Sequence, residues 1–500
     1  MDDDEDDSNR ALDRVVVALA CDDAVAATIA AALVRATARA RASTVNARAV
    51  TILALGTTRT TREDVERAGG ALRASDVGAP LARAIARAVR SSGAKGVDAR
   101  EVDGAMDAET LTGARATTAV DCGGGRVSER CGVAVACERA REMGGRRVTH
   151  VWASASAVTG TVFEDGGRRA RGERGLYDAA RPTTAASMVE RATTVRAERK
   201  CALHYEFLLS HPETAPLLGG KKVGGTTARA APASASMCAI VGAIAAAKVL
   251  RALEDENGEV MSDDAPMEAV MKQWTHVDAM ELYRPDRADA HAEPSSMDGY
   301  ETVPSGGDGD ETMEDAEDVC RGFEEQAKLY GYDAMKKLRE MLVLVCGRDS
   351  QANDACATAL GSIGVGTVDI FGASGSGTFL RQECDVDDLC DLDDLEAYKY
   401  HVIIRTSSCP EANELVLSAH EVRTPVIEVE SPRVGESIVH VTVGSGSGYK
   451  RGPFVGWMET TTALVAAHVA AMEVVRVAQD RPRNATIVCD DEGIFTQCTQ

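Results

Sequence analysis

The feature that most constrains this chain is a recurring alternation between short β-branched runs and long alanine-rich stretches. In the N-terminal half, Arg14 to Ala20 reads as a buried strand, Ala24 to Arg39 as a helix and Ala49 to Leu55 as a second strand. Pro80 to Arg90 reads as a further helix, and Ala116 to Asp121 and Arg147 to Ala153 as strands. The C-terminal half repeats the scheme: Met341 to Gly347 is a strand, Ala352 to Leu360 a helix and Gly366 to Phe371 a strand, and Tyr400 to Ile404 and Pro425 to Val429 continue the sheet. Near-continuous apolar strands separated by helices are the signature of βαβ units around a parallel sheet buried on both faces.

The two halves also match each other. Ser236 to Arg251 aligns with Thr461 to Arg476, both helices of small residues suited to close packing, and both precede a late strand (Trp274 to Val277; Thr486 to Val488). Such a match implies two related α/β domains in tandem.

Length and charge agree with this and narrow the partners. A chain of 500 residues suits two large domains and a linker. With 55 basic against 78 acidic side chains, the net charge of −23 opposes phosphate backbones and anionic lipid. No nucleic-acid or membrane partner is expected. The longest apolar run, Ala235 to Leu250, carries Ser236, Cys238 and Lys248 and reads as a buried helix rather than a span. The acidic N-terminus has neither a signal nor a transit pattern, which predicts cytoplasm or nucleus and free thiols for the 14 cysteines. Residues 1–13 read as an acidic tail and 286–322 as an acidic linker. The cluster Glu383 to Glu396, with Leu389, Leu392 and Leu395 three apart, reads as a short helix with a solvated face.

Several motifs carry a family resemblance. Phe323-Glu-Glu-Gln-Ala-Lys-Leu-Tyr-Gly331, followed by a helix and a strand, is similar to the Tyr-Asp-Arg-Gln-x-x-Leu-x-Gly arm of the ubiquitin-like-protein-activating enzymes and of the bacterial enzymes that charge sulfur carriers. Gly377 to Gln382 resembles their Asn-x-Asn-Arg-Gln. Ala74 to Gly78 resembles Asp-Val-Gly-Lys, Asp121 to Arg126 resembles Asp-Asn-x-x-x-Arg, and Gln273 to Leu282 resembles the final strand. The resemblance covers about 14–285 and 323–500. It implies two tandem Rossmann-like adenylation-type domains, α/β with mostly parallel sheets flanked by helices, packed as a pseudo-dimer. Domain 1 would span 14–285 with a helical insertion at about 164–230, and domain 2 would span 323–500.

Family chemistry is adenylation of a carrier protein's C-terminal carboxylate by ATP and Mg²⁺, which needs backbone amides near phosphates, a carboxylate-held metal and cations for developing charge. By resemblance, Asp121 would hold Mg²⁺. Arg67, Arg126, Gly347, Arg381 and Gln382 would line the nucleotide, and Gln326 of the second half's arm would complete the first half's site. A turn-initiating role for Asp121 stays open beside the metal role. Cys201, flanked by Arg199, Lys200 and His204, is the thioester candidate; a buried helix cysteine is the alternative.

The sequence departs from the family at several points. The glycine-rich loop reads Gly347-Arg-Asp349-Ser-Gln-Ala352 in the second half and has no glycine from Ala18 to Asp23 in the first. Glu325 replaces the arm arginine, Ala79 the lysine, and no acid follows either second strand. These residues leave three functions in view: an adenylating enzyme or its regulatory subunit, a non-catalytic scaffold, and an NAD-dependent oxidoreductase with neither glycines nor a catalytic pairing. Partners implied are a ubiquitin-like protein, an activating-enzyme subunit or a conjugating enzyme. Isolated histidines such as His440 and His468 read as satisfied core residues.

Overall fold

The structure, a computed structural model, describes residues 14–43, 49–122, 148–155, 159–165, 234–255, 274–278, 320–372, 379–380, 384–389, 397–407, 410–430, 439–443, 456–480, 486–490 and 493–497, with scattered helical residues between 133 and 143. The expected insertion at 164–230, the linker 286–322 and the N-terminal tail lie almost wholly outside these.

The first half contributes β1 (Arg14–Ala20), β2 (Ala49–Leu55), β3 (Val97–Val102), β4 (Thr118–Cys122), β5 (Thr149–Ala155), β6 (Thr159–Asp165) and β7 (Trp274–Asp278). They form one sheet of order β3-β2-β1-β4-β5-β6-β7, parallel from β3 to β5 and antiparallel beyond. The second half contributes β8 (Leu342–Gly347), β9 (Thr367–Gly372), β10 (Asp385–Leu389), β11 (Val402–Arg405), β12 (Val426–Glu430), β13 (Val439–Val443), β14 (Thr486–Asp490) and β15 (Gly493–Gln497). Its order, β10-β9-β8-β11-β12-β13-β14-β15, reproduces the first sheet strand for strand and adds β15 at one edge. The tandem α/β organisation read from the sequence is therefore present as a shared topology.

Helices cover these sheets. They are α1 (Ala24–Ser43), α2 (Arg62–Arg67), α3 (Leu81–Ser91), α4 (Ala108–Gly113), α5 (Ala235–Asp255), α6 (Glu324–Tyr330), α7 (Tyr332–Glu340), α8 (Ser350–Ile363), α9 (Pro410–Val422) and α10 (Gly456–Ala478). The two helices matched in sequence, α5 and α10, pack on each other and on α1 and α8, making a four-helix layer between the sheets. Strand alternation explains how each sheet serves two cores. Val15, Val17 and Leu19 face the helix layer, whereas Ala18 faces an outer cluster with Leu53, Leu111 and Ala119. In β8, Val343 and Val345 face the layer, and Leu344 and Cys346 join an outer cluster beneath α9. The central core runs without a break from β1 through α1, α5, α8 and α10 to β8, so the halves share one hydrophobic interior.

At the start of the acidic stretch, Asp385–Leu389 is an edge strand paired in parallel with β9; Leu392 and Leu395, on which the expected helix also rests, lie outside the described residues. Residues three apart in a strand point to opposite faces, and Val386 joins the central core while Leu389 joins the outer one. Asp385, Asp387 and Asp388 are exposed, and charge on a sheet edge discourages pairing with another chain. The edge strand β3 and the short helices α2 and α4 were not anticipated, because Val97–Val102 mixes charge with apolar residues and the helices are each six residues long. The apolar run from Ala235 is buried in α5 as expected, and among the described residues no helix is long and apolar enough to cross a membrane.

One buried group sets an acid limit on this fold. His150 of β5 is 2% exposed and neither ring nitrogen has a hydrogen-bond partner among the described residues; burial pushes its pKa down to about 4. An unfolded imidazole takes a proton below about pH 6.5, whereas the folded one resists to about pH 4. The unfolded state therefore binds more protons in that window, and stability falls as pH drops through it, by about 3 kcal/mol in total. Urea midpoints at pH 7 and pH 4.5 should differ more for the wild type than for His150→Leu. Equal pH dependence in the two proteins would refute this assignment.

Candidate functional site

The site expected in the first half lies where β1 and β4 end, at the carboxyl edge of the parallel strands, the usual ligand position in an open α/β sheet. β1 runs out into Cys21-Asp22-Asp23 and then α1. Asp23 Oδ1 accepts the Val25 N–H at 3.2 Å, in the first turn of α1. The chain turns closely here: Cys21 N–H donates to the Leu55 carbonyl at 2.6 Å, and a Cβ on Gly56 (φ +137°) would stand 3.1 Å from the Cys21 carbonyl oxygen. Asp22 is exposed and accepts from the Thr58 hydroxyl at 3.2 Å.

Asp121 sits in β4, 6% exposed. Its neighbour Cys122 has a thiol pushed well above its ordinary range, first by burial and then by the charges of Asp121 and of Cys21, Asp23 and Asp22. Three carboxylates thus gather at one sheet edge. Among the described residues, however, no group of three His, Cys, Asp or Glu side chains could hold a metal ion.

Arg67 closes α2 and is 6% exposed, with Glu63 Oε2 at 3.9 Å from its guanidinium. Burial raises the pKa of Asp23, and the charge of Arg67 opposes that rise; Asp64 is the other charge near Asp23. Arg67 Nε has no hydrogen-bond partner among the described residues. Its cation is thus balanced by the protein's own carboxylates, from α2 and from the start of α1.

Gln326 arrives from the other half. It lies in α6, fully buried, and its backbone N–H donates to Glu66 Oε1 at 2.6 Å, beside Arg67. Both polar atoms of its side-chain amide lack partners among the described residues. The segment Glu324–Tyr330 therefore contacts the first half and is anchored further back by Gln479 Nε2 donating to the Tyr330 carbonyl at 2.9 Å.

In the second half, Gly347 ends β8. A Cβ there would lie 2.8 Å from Ser407 Oγ and 2.9 Å from Ser407 N. The space that glycine leaves is filled by the adjoining loop. Asp349 caps α8, its Oδ1 accepting from Gln351 N at 3.0 Å and Ala352 N at 3.3 Å. Asn353 fastens the turn from within: it is fully buried, its Nδ2 donates to the Gly347 carbonyl at 2.9 Å, and its Oδ1 accepts the Thr406 hydroxyl at 2.5 Å. Arg126, Cys201, Arg381 and Gln382 lie outside the described residues.

Of the expected site residues, Gln326 bonds Glu66, the residue before Arg67, through its backbone; Asp121 lies in β4 of the first sheet, and Gly347 lies in the other sheet. Asp23, Asp349 and Asn353 were not singled out in advance as site residues. An Asp directly before an apolar helical run is a helix-start signal and could have marked the first two; the buried Asn353 had no local signal.

No family model matches the chain, and no curated protein matches it. Among solved structures, Escherichia coli MccB with succinimide is similar at 14% identity and TM-score 0.27, over 35% of this chain and 69% of MccB. MccB with MccA-N7isoASN is similar at 13% identity and TM-score 0.28, over 36% and 71%. Likenesses of this extent support no functional assignment, and the tandem α/β fold rests on the strand order.

Proposed function

We propose that this chain is a nucleotide-independent member of the activating-enzyme type, a pseudo-dimeric scaffold that binds a ubiquitin-like protein or the catalytic subunit of its activating enzyme. The observation that carries this reading is the pair of aspartates at equivalent points of the two halves. Asp23 and Asp349 each accept the first amides of the helix that follows the first strand. Such a helix N-terminus binds phosphate when it is open. Here an internal carboxylate holds it, and a triphosphate brought to the same amides would meet Asp22 and Asp23, or Asp349, at close range.

The described residues at these two helix ends therefore do not fit a triphosphate, nor do the described residues offer Mg²⁺ a ligand set around Asp121. An NAD-dependent oxidoreductase would need the same open helix end for its pyrophosphate and would find the same carboxylates. The net charge of −23 favours a partner with a basic face.

A second reading, adenylation in the first half, draws on one observation: the Gln326 backbone N–H bonds Glu66 of the first half while its side-chain amide has no partner among the described residues. Titration with MgATP and ATP–pyrophosphate exchange with a panel of ubiquitin-like carriers distinguish the two. Scaffolding predicts no saturable nucleotide binding up to millimolar concentration, no exchange, and carrier or subunit binding that does not depend on ATP. Exchange that is abolished by Asp121→Ala would overturn it in favour of an enzyme.

A further inference from the structure

Over residues 56–100 the described surface inverts the sign of the chain's net charge. The exposed charged residues there are all basic, and the acidic ones are buried or half-buried. The middle of this surface is α3, which buries Leu81, Ile85 and Val89 and turns Arg83, Arg87 and Arg90 outward at i, i+4 and i+7. Arg73 joins them through Asp76: its N–H donates to Asp76 Oδ2 at 2.8 Å, and Asp76 Oδ1 pairs with the Arg87 guanidinium. Arg59 lies where α3 begins, bridged to Pro80 and donating from Nη1 to the Gly78 carbonyl at 2.6 Å. Lys95 follows the last turn of the helix. Six cations thus run along α3 from its start to beyond its end.

Internal carboxylates offset only part of this charge. Arg83 pairs with Glu101 Oε2 at 2.9 Å and Arg87 with Asp76, whereas Arg59, Arg73, Arg90 and Lys95 have no ion-pair partner among the described residues. Even the paired side chains stay open to solvent, Arg83 at 61% and Arg87 at 46% exposure. No aromatic residue precedes Trp152, so α3 and its flanks offer no platform on which bases could stack. A guanidinium fork takes a carboxylate in two parallel hydrogen bonds.

We propose that this face docks residues 2–7 of the same chain, Asp-Asp-Asp-Glu-Asp-Asp, and that the docked segment shields it from other polyanions. Six acids meet six cations. Their reach agrees with this, because α3 runs back toward the amino edge of the sheet. Its end lies close to Gly96, whose carbonyl accepts the Val50 N–H at 2.8 Å, and Arg14, paired with Ala49, opens β1 at that same edge. Two strand spacings, about 10 Å, separate β1 from β3. Residues 8–13, which join the acids to β1, span up to about 20 Å when extended.

Fluorescence anisotropy with a fluorescein-labelled peptide of residues 1–10, at an ionic strength of about 50 mM, tests this. Two full-length variants are compared with the wild type. The first carries Asp2→Asn, Asp3→Asn, Asp4→Asn, Glu5→Gln, Asp6→Asn and Asp7→Asn, which empties the face. The second adds Arg73→Gln, Arg90→Gln and Lys95→Gln, which leave the ion pairs of α3 in place. The first should bind the peptide about tenfold more tightly than the wild type, because a tethered segment at an effective concentration of about 1 mM competes with a peptide of Kd about 0.1 mM. The second should lose at least tenfold of that affinity, and salt at about 0.5 M should abolish binding to both. Equal affinity of the wild type and the first variant, no binding by the first, or undiminished binding by the second would overturn the proposal. So would a thymidine oligonucleotide of the same length binding the first variant more tightly than the peptide, which would make α3 a nucleic-acid face.

Discussion

Gly70→Ala is expected to destabilise the chain by about 3 kcal/mol, the upper range for overpacking a close contact. Gly70 lies in the turn after α2, and a Cβ built on it would fall 2.5 Å from the Phe379 carbonyl carbon and 2.8 Å from that of Leu380. Both obstacles are backbone, which cannot rotate aside as a side chain end can. Phe379 itself is at φ +67°, a conformation uncommon for a residue with a Cβ, so this segment has little freedom to retreat. The two segments belong to different halves, and the cost should appear as weakened docking: a lower urea midpoint and earlier loss of the hydrogen bond from Arg35 to Thr358 across the halves. Gly113→Ala is the control. No atom comes within 4 Å of a Cβ there, and the change should be neutral or stabilise by up to about 1 kcal/mol. Equal midpoints for Gly70→Ala and the wild type would mean that the turn does not pack on Phe379.

Gly242→Val should cost about as much, for a different reason. Gly242 lies in the middle of α5, where glycine is a poor helix former, and local propensity alone favours its replacement, by about 1 kcal/mol for alanine and by roughly half that or less for valine. Packing reverses that sign. A Cβ would stand 2.8 Å from Thr28 Cβ and 2.9 Å from the Thr28 carbonyl carbon on α1. Thr28 cannot move away cheaply, because its hydroxyl oxygen lies 2.8 Å from both the Val25 and the Cys238 carbonyl oxygens and shares its single proton between them, and so ties the two helices together. The expected result is a loss of about 3 kcal/mol, measured by chemical denaturation. Gly242→Ala should cost less, and adding Thr28→Ala should recover part of that loss. A stabilised Gly242→Val protein would show that α1 and α5 do not cross closely.

These two glycines also show where sequence reading stops. Nothing local distinguishes Gly70 or Gly242 from the chain's other glycines; only the approach of a segment more than two hundred residues away gives them their cost. The same holds for Gln326. Its arm was recognisable from Phe323 to Gly331, but its hydrogen bond to Glu66 needed both halves in place. At the start of the acidic stretch, pairing with β9 makes the charge-rich Asp385–Leu389 a strand.

The sequence by itself determined most of the strand and helix succession, its repetition in two halves, and the loss of the full glycine-rich pattern at both first turns. Those properties are written in periods of two and 3.6 residues and in the identity of a few turn residues, all of them local. The tertiary structure alone decided that the two halves share one core through four helices, that the Gln326 amide reaches Glu66 of the other half, and that Arg35 bridges to Thr358. Each of these depends on which distant surfaces meet, and hydrophobic burial, being non-directional, leaves that choice to the shapes of the packed elements.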